Sequence, residues 1–165
     1  ITYQSFEMRQ AREFEVCPYA LRYANQRWYL LAKTDFHTAL RLYALDRMSA
    51  VVVTNKNFSL PKDFDASYYF SLFFGAMITD ANVETIRLKA SDFRTPYLRS
   101  LPLHHSQKEI RPGEFELHLV PTPDFLQALR SIGPDIEITH PKWLRKQFLD
   151  EARTLIKRYG DKELP

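Results

Sequence analysis

Apolar and polar residues alternate with a period of two through much of the first half of the chain, the signature of half-buried strands. Residues 1–6 (ITYQSF) alternate as a first strand, and 12–16 resume as a second before Pro18 interrupts the pattern. Residues 27–33 (RWYLLAK) and 39–47 (ALRLYALDR) are two further apolar runs joined by a polar connection, a hairpin with cations set among apolar positions. The β-branched run 48–54 (MSAVVVT) makes a fifth. Five short strands suit a small barrel that closes on itself and hides its edges. Asp65 is placed to cap a helix reaching about residue 74, with Gly75 where a left-handed helix-ending residue belongs.

From Val83 onward the pattern changes. Residues 84–89 predict a strand, 92–100 a short helix, and 107–111 with 114–121 two strands joined by Pro112-Gly113. Thr122-Pro123-Asp124 is a helix start: a cap, a proline in the first turn, and an acid at the positive helix end. Gly133 ends that helix, 135–140 form a fourth strand, and Pro141 opens a last helix through Tyr159. The order βαββαβ followed by a helix is a ferredoxin-like split βαβ arrangement, so the fold class is α+β. The expected domains are 1–75, a linker 76–82, and 83–165.

Composition narrows the class. The 165 residues are 45% apolar and 14% aromatic, ample for packed cores. No apolar run reaches the roughly 20 residues needed to cross a bilayer, and the start lacks a secretory signal, so no membrane role is expected. Cys17 is the one cysteine, which excludes an intrachain disulfide and fits the cytoplasm. A formal charge of +3 from 23 basic and 20 acidic residues identifies no partner, so only the local placement of charge can do so.

Pro18-Tyr19 with Leu21, then Arg27-Trp28-Tyr29-Leu30, then Arg41-x-Tyr43-x-Leu45-Asp46-Arg47, continued by Phe58, Pro61 and Asp63-Phe64, resemble the WYL domain, named for Trp28-Tyr29-Leu30. The second half, through Gly133, Ile136 to Ile138, Pro141 and Leu144, resembles the C-terminal extension (WCX-like) often attached to WYL domains. The resemblance implies a small Sm-like or SH3-like β-barrel, the sensor part of bacterial transcription regulators. In some relatives that barrel binds single-stranded nucleic acid or a nucleotide-like effector. The extension is implied to hold protomers together as a homodimer and in some members to contact the effector. Such regulators usually carry a winged helix-turn-helix ahead of the barrel. Since Ile1 already lies in a strand, the expectation is a fragment of a longer regulator that meets promoter DNA only through a domain outside this chain.

Arg41 and Arg47 are the leading ligand candidates, because a guanidinium pairs with phosphate through two parallel donors and stacks on bases. Six residues apart on a regular strand, they share a face with Tyr43 and Leu45, the face a core requires. Either a bulge turns one arginine outward, or the shared face is a groove, or both are surface cations bridging Asp35 or Asp46. Alternation puts Trp28 and Leu30 in the core and Tyr29 on the other face, available to a ligand. Tyr3 and Ser5, with Gln4 between them, would complete a stacking platform, and His37 in the hairpin connection would meet a phosphate. On the last helix Lys142, Arg145, Lys146, Arg153, Lys157 and Arg158 form a basic back face behind an apolar stripe that packs or dimerises.

Catalytic signals are missing. There is no HExxH, paired CxxC or glycine-rich phosphate loop, and His104-His105 are adjacent and so point apart. No enzyme activity, metal or cofactor is expected. Two functions compete: an effector-sensing, dimerising region of a transcription regulator, and a ligand-free dimerisation platform for a DNA-binding domain.

Overall fold

The computed structural model describes residues 1–160, and the chain divides into two compact units between Asp80 and Ala81. The first unit holds six strands: β1 (Thr2–Tyr3), β2 (Arg12–Glu13), β3 (Cys17–Ala24), β4 (Arg27–Lys33), β5 (Arg41–Ala44) and β6 (Met48–Ala50). Their ladders make two three-stranded antiparallel sheets, in the orders β2-β1-β6 and β3-β4-β5. The sheets meet at a core of Tyr3, Ala32 and Tyr43, with Ile1, Phe14, Val16, Leu30 and Met48 around it. The Tyr3 and Tyr43 rings stand edge to face at 5.2 Å.

The strand β3 departs from the sequence expectation, in which Pro18 broke the pattern. It is an edge strand, where a missing N–H costs no ladder bond, and a register shift between Pro18 and Ala20 absorbs the ring. Asn25 (φ 49°) and Gln26 (φ 61°) turn it into β4, both central residues being left-handed as a type I′ hairpin requires. The expected strand 39–47 stops at Ala44, and Leu45–Arg47 form a 3₁₀ turn. The first two expected strands shrink to two residues each; the first ends where residues 4–9 turn back on themselves, the Gln4 side-chain Nε2 donating to the Met8 and Arg9 carbonyls.

Beyond β6 the chain leaves the ladder. Val51, Val52 and Val53 are 66%, 76% and 93% exposed, and their backbone makes no hydrogen bond to the described residues. The helix α1 (Ala66–Ser71) starts where Asp65 accepts from the Ser67 and Tyr68 amides. It ends before the expected stop, and Gly75 is not in the left-handed region, which among glycines belongs to Gly113 and Gly133. The Arg22 guanidinium covers the Phe70 ring of α1 at 4.7 Å.

The second unit contains β7 (Glu84–Ala90), α2 (Thr95–Ser100), β8 (Lys108–Arg111), β9 (Glu114–Leu119), α3 (Pro123–Ile132), β10 (Ile136–His140) and α4 (Lys142–Tyr159). Its antiparallel sheet runs β10-β7-β9-β8, the strand order of a split βαβ arrangement. Alternation along β7 and β9 buries Ile86, Leu88, Phe115, Leu117 and Leu119, together with Phe125 and Leu129 of α3. Gly133, at φ 67°, ends α3 as expected. Two arginine forks lock the layers: Arg99 of α2 on Glu109 of β8, and Arg130 of α3 on Glu151 of α4. The first half of α4 packs through buried Leu144 and half-buried Phe148, whereas Leu155, Ile156 and Tyr159 are exposed.

Candidate functional site

Arg41 opens β5 and alternation puts it on the face of Tyr43. Its fork is occupied: two parallel bonds of 3.2 and 3.1 Å run from the guanidinium to both carboxylate oxygens of Asp80. The Tyr69 phenol of α1 lies close by, pushed up by burial first and by the Asp80 charge second. Burial likewise raises the Tyr43 phenol.

Arg47 lies outside the strand, in the last position of the 3₁₀ turn. The turn breaks the parity that would have placed it beside Arg41, and the two guanidiniums engage different partners. The Arg47 guanidinium lies 3.7 Å from the centroid of Phe6, a ring that is 81% exposed. Its Nε is buried without a hydrogen-bond partner among the described residues, and its carbonyl accepts from the Gln4 amide, which fixes it beside the end of β1. The neighbouring carboxylate, Asp46, pairs with Arg27 at 3.3 Å instead. Arg47 is thus a cation held by an aromatic ring, with no acidic partner among the described residues.

The other sequence candidates are dispersed. Tyr3 is a core residue, 6% exposed against Tyr43. Ser5 is half-buried and its carbonyl accepts from the Met8 amide, close in sequence to Phe6. Tyr29 is half-buried between Arg22 and Ala44 in the ladder, on the face opposite Trp28 and Leu30. His37 sits exposed in the β4–β5 turn, its ring 4.8 Å from Phe36, which meets Phe14 at 5.2 Å.

Trp28 has the predicted parity but not the predicted burial. It pairs with Tyr23 next to the hairpin turn, beyond the reach of β5, which pairs β4 only from Tyr29 to Ala32. Trp28 is consequently 51% exposed, its ring 5.3 Å from that of exposed Tyr23. Phe6 and Asp80 escaped the sequence reading as well. Phe6 reads in the sequence only as the end of the first alternating run, with nothing local to pair it with Arg47, and Asp80 lies 39 positions from the arginine it holds.

In the second unit His104 and His118 take part in the packing of a loop against β9. Ser106 ties the loop to β9 by donating to the His118 carbonyl and accepting from its amide, while its hydroxyl meets His104 Nδ1 at 2.7 Å. His118 Nε2 faces Glu116, which the Arg87 guanidinium holds below the usual carboxylate range. Among the described residues no group of three or more His, Cys, Asp or Glu side chains could hold a metal ion, and no helix is long and apolar enough to cross a membrane.

Residues 1–53 match the WYL domain model and residues 82–156 the WCX domain model. Two solved structures are similar. Proteasome accessory factor B/C (PafBC) of Arthrobacter aurescens aligns with 99% of this chain and 25% of its own, at 22% identity and a TM-score of 0.39. A CRISPR Cas-related protein aligns with 96% of this chain and 47% of its own, at 12% identity and a TM-score of 0.57, a likeness of fold. The chain thus spans a quarter of the first and about half of the second. No curated protein matches it.

Proposed function

Because the chain is a WYL domain followed by a WCX domain, we propose that it is the effector-sensing and dimerisation region of a bacterial transcription regulator. Its first unit binds a nucleic-acid-derived or nucleotide-like ligand. The observation that carries this reading is Arg47, its guanidinium 3.7 Å from the centroid of the exposed Phe6 ring, with no carboxylate among the described residues paired to it. A planar cation over an aromatic ring offers a phosphate charged donors and a base a stacking surface. Arg41 supplies a second fork once Asp80 leaves it. Ser5 borders this surface, Tyr29 and His37 take contacts farther along the ligand, and Tyr3 supports it from the core. We read the two sheets as walls of a small Sm-like barrel, a reading that the Tyr3–Tyr43 contact supports. The region works by binding rather than turnover, in the cytoplasm, where a lone thiol such as Cys17 stays reduced.

Fluorescence anisotropy with short labelled single-stranded DNA and RNA across a salt series tests the proposal. Arg47→Ala is expected to weaken binding about tenfold and to lower the log–log salt slope by about 1. Unchanged affinity and slope would remove Arg47 from the site.

A second reading, a ligand-free dimerisation platform, is favoured by Leu155, Ile156 and Tyr159, exposed on the far end of α4. It predicts self-association in sedimentation that oligonucleotides leave unchanged.

A further inference from the structure

We infer that Asp80 is a built-in competitor for the ligand's phosphate, and that its displacement from Arg41 releases the segment leading out of the first unit. This rests on the reading of Arg41 as a phosphate-binding residue. The carboxylate of Asp80 occupies both arms of the Arg41 fork at 3.2 and 3.1 Å, the two-donor arrangement that a phosphate's paired oxygens also take. Both side chains are substantially solvated, at 35% and 55% exposure, so the pair is weak enough for a ligand anion to exchange with it.

The position of Asp80 gives the exchange a consequence. The other bidentate forks, Arg99 on Glu109 and Arg130 on Glu151, fasten elements within one unit. Arg41–Asp80 instead fastens a strand to the last residue before the second unit begins, and Ala81, Asn82 and Val83 beyond it are exposed. A ligand that binds only the Asp80-released form shifts the population toward a freed connection. Binding chemistry at β5 thereby becomes a change in the restraint on the joining chain.

The test compares wild type, Asp80→Asn, Arg41→Ala and the double variant, using a short labelled single-stranded DNA and hydrogen exchange of residues 76–82. Asp63→Asn, the loss of another exposed carboxylate of the same unit, controls for net charge. Asp80→Asn is expected to bind about two- to fivefold tighter, Asp63→Asn less so, and Asp80→Asn to have no effect in the Arg41→Ala background. Exchange over 76–82 should rise in wild type when DNA is added, and in Asp80→Asn without it. Weaker binding by Arg41→Ala, with Asp80→Asn and the exchange unchanged, would overturn the inference and leave the ligand site standing. Binding indifferent to Arg41→Ala, or absent, would overturn the Arg41 assignment itself, and the competitor with it.

Discussion

A guanidinium held in a carboxylate fork and one held against a ring respond differently to substitution. Arg41 keeps a carboxylate partner in the free protein, whereas the Arg47 guanidinium lies over the Phe6 ring with no ion pair among the described residues. Arg47→Lys therefore predicts a loss of oligonucleotide affinity close to that of Arg47→Ala, since an ammonium keeps the charge but neither the plane nor the fork. Parallel anisotropy titrations decide this, and full activity of the lysine variant would mean that charge alone matters. Phe6→Ala should alter stability by no more than about 1 kcal/mol in urea titrations, yet weaken binding, because Arg47 loses the surface that orients it. The arginines were legible in the sequence as residue types. Their partners were not, because Phe6 is brought to Arg47 by the turn at 4–9 and Asp80 to Arg41 by the irregular chain after α1, rather than by any local period.

At the level of elements, the split βαβ unit was legible almost strand by strand. Its period switches between two and 3.6, and Pro112-Gly113, Thr122-Pro123-Asp124 and Gly133 punctuate it. The strand β3 was not, because Pro18 argues against a strand unless the strand lies at an edge, a fact of tertiary pairing. That omission hid the Tyr23–Trp28 pair and misplaced Trp28 in the core. The same hairpin holds Gln26 at φ 61°, a conformation that suits glycine better. Gln26→Gly is accordingly expected to stabilise the protein by about 0.5–1 kcal/mol, read as a higher urea midpoint. A lower midpoint would show that the Gln26 side chain contributes more than its backbone strain costs. Asp65→Ala removes the acceptor of two α1 amides and should cost about 1 kcal/mol, visible in the same titration.

For the molecule as a whole, acid is the informative variable. Glu109 is held at about 2, against a usual 4.5, by the Arg99 guanidinium and then by the Gly113 amide. A carboxyl whose pKa is lowered on folding stabilises fully above its unfolded value and loses that contribution as pH falls toward the folded one. Glu116 and Glu151, lowered by Arg87 and Arg130, act in the same sense. Thermal melts should therefore show stability declining from about pH 4.5 toward about 2, with a shallower decline in Glu109→Gln. An unaltered acid profile would mean that Arg99–Glu109 forms equally in the unfolded chain. A different consequence attaches to the three valines beyond β6, whose bare backbone and branched side chains are the makings of a cross-β seed. They set a ceiling on colloidal stability, so that light scattering in concentrated samples should fall sharply in Val52→Lys, where one charge serves as a gatekeeper against stacking.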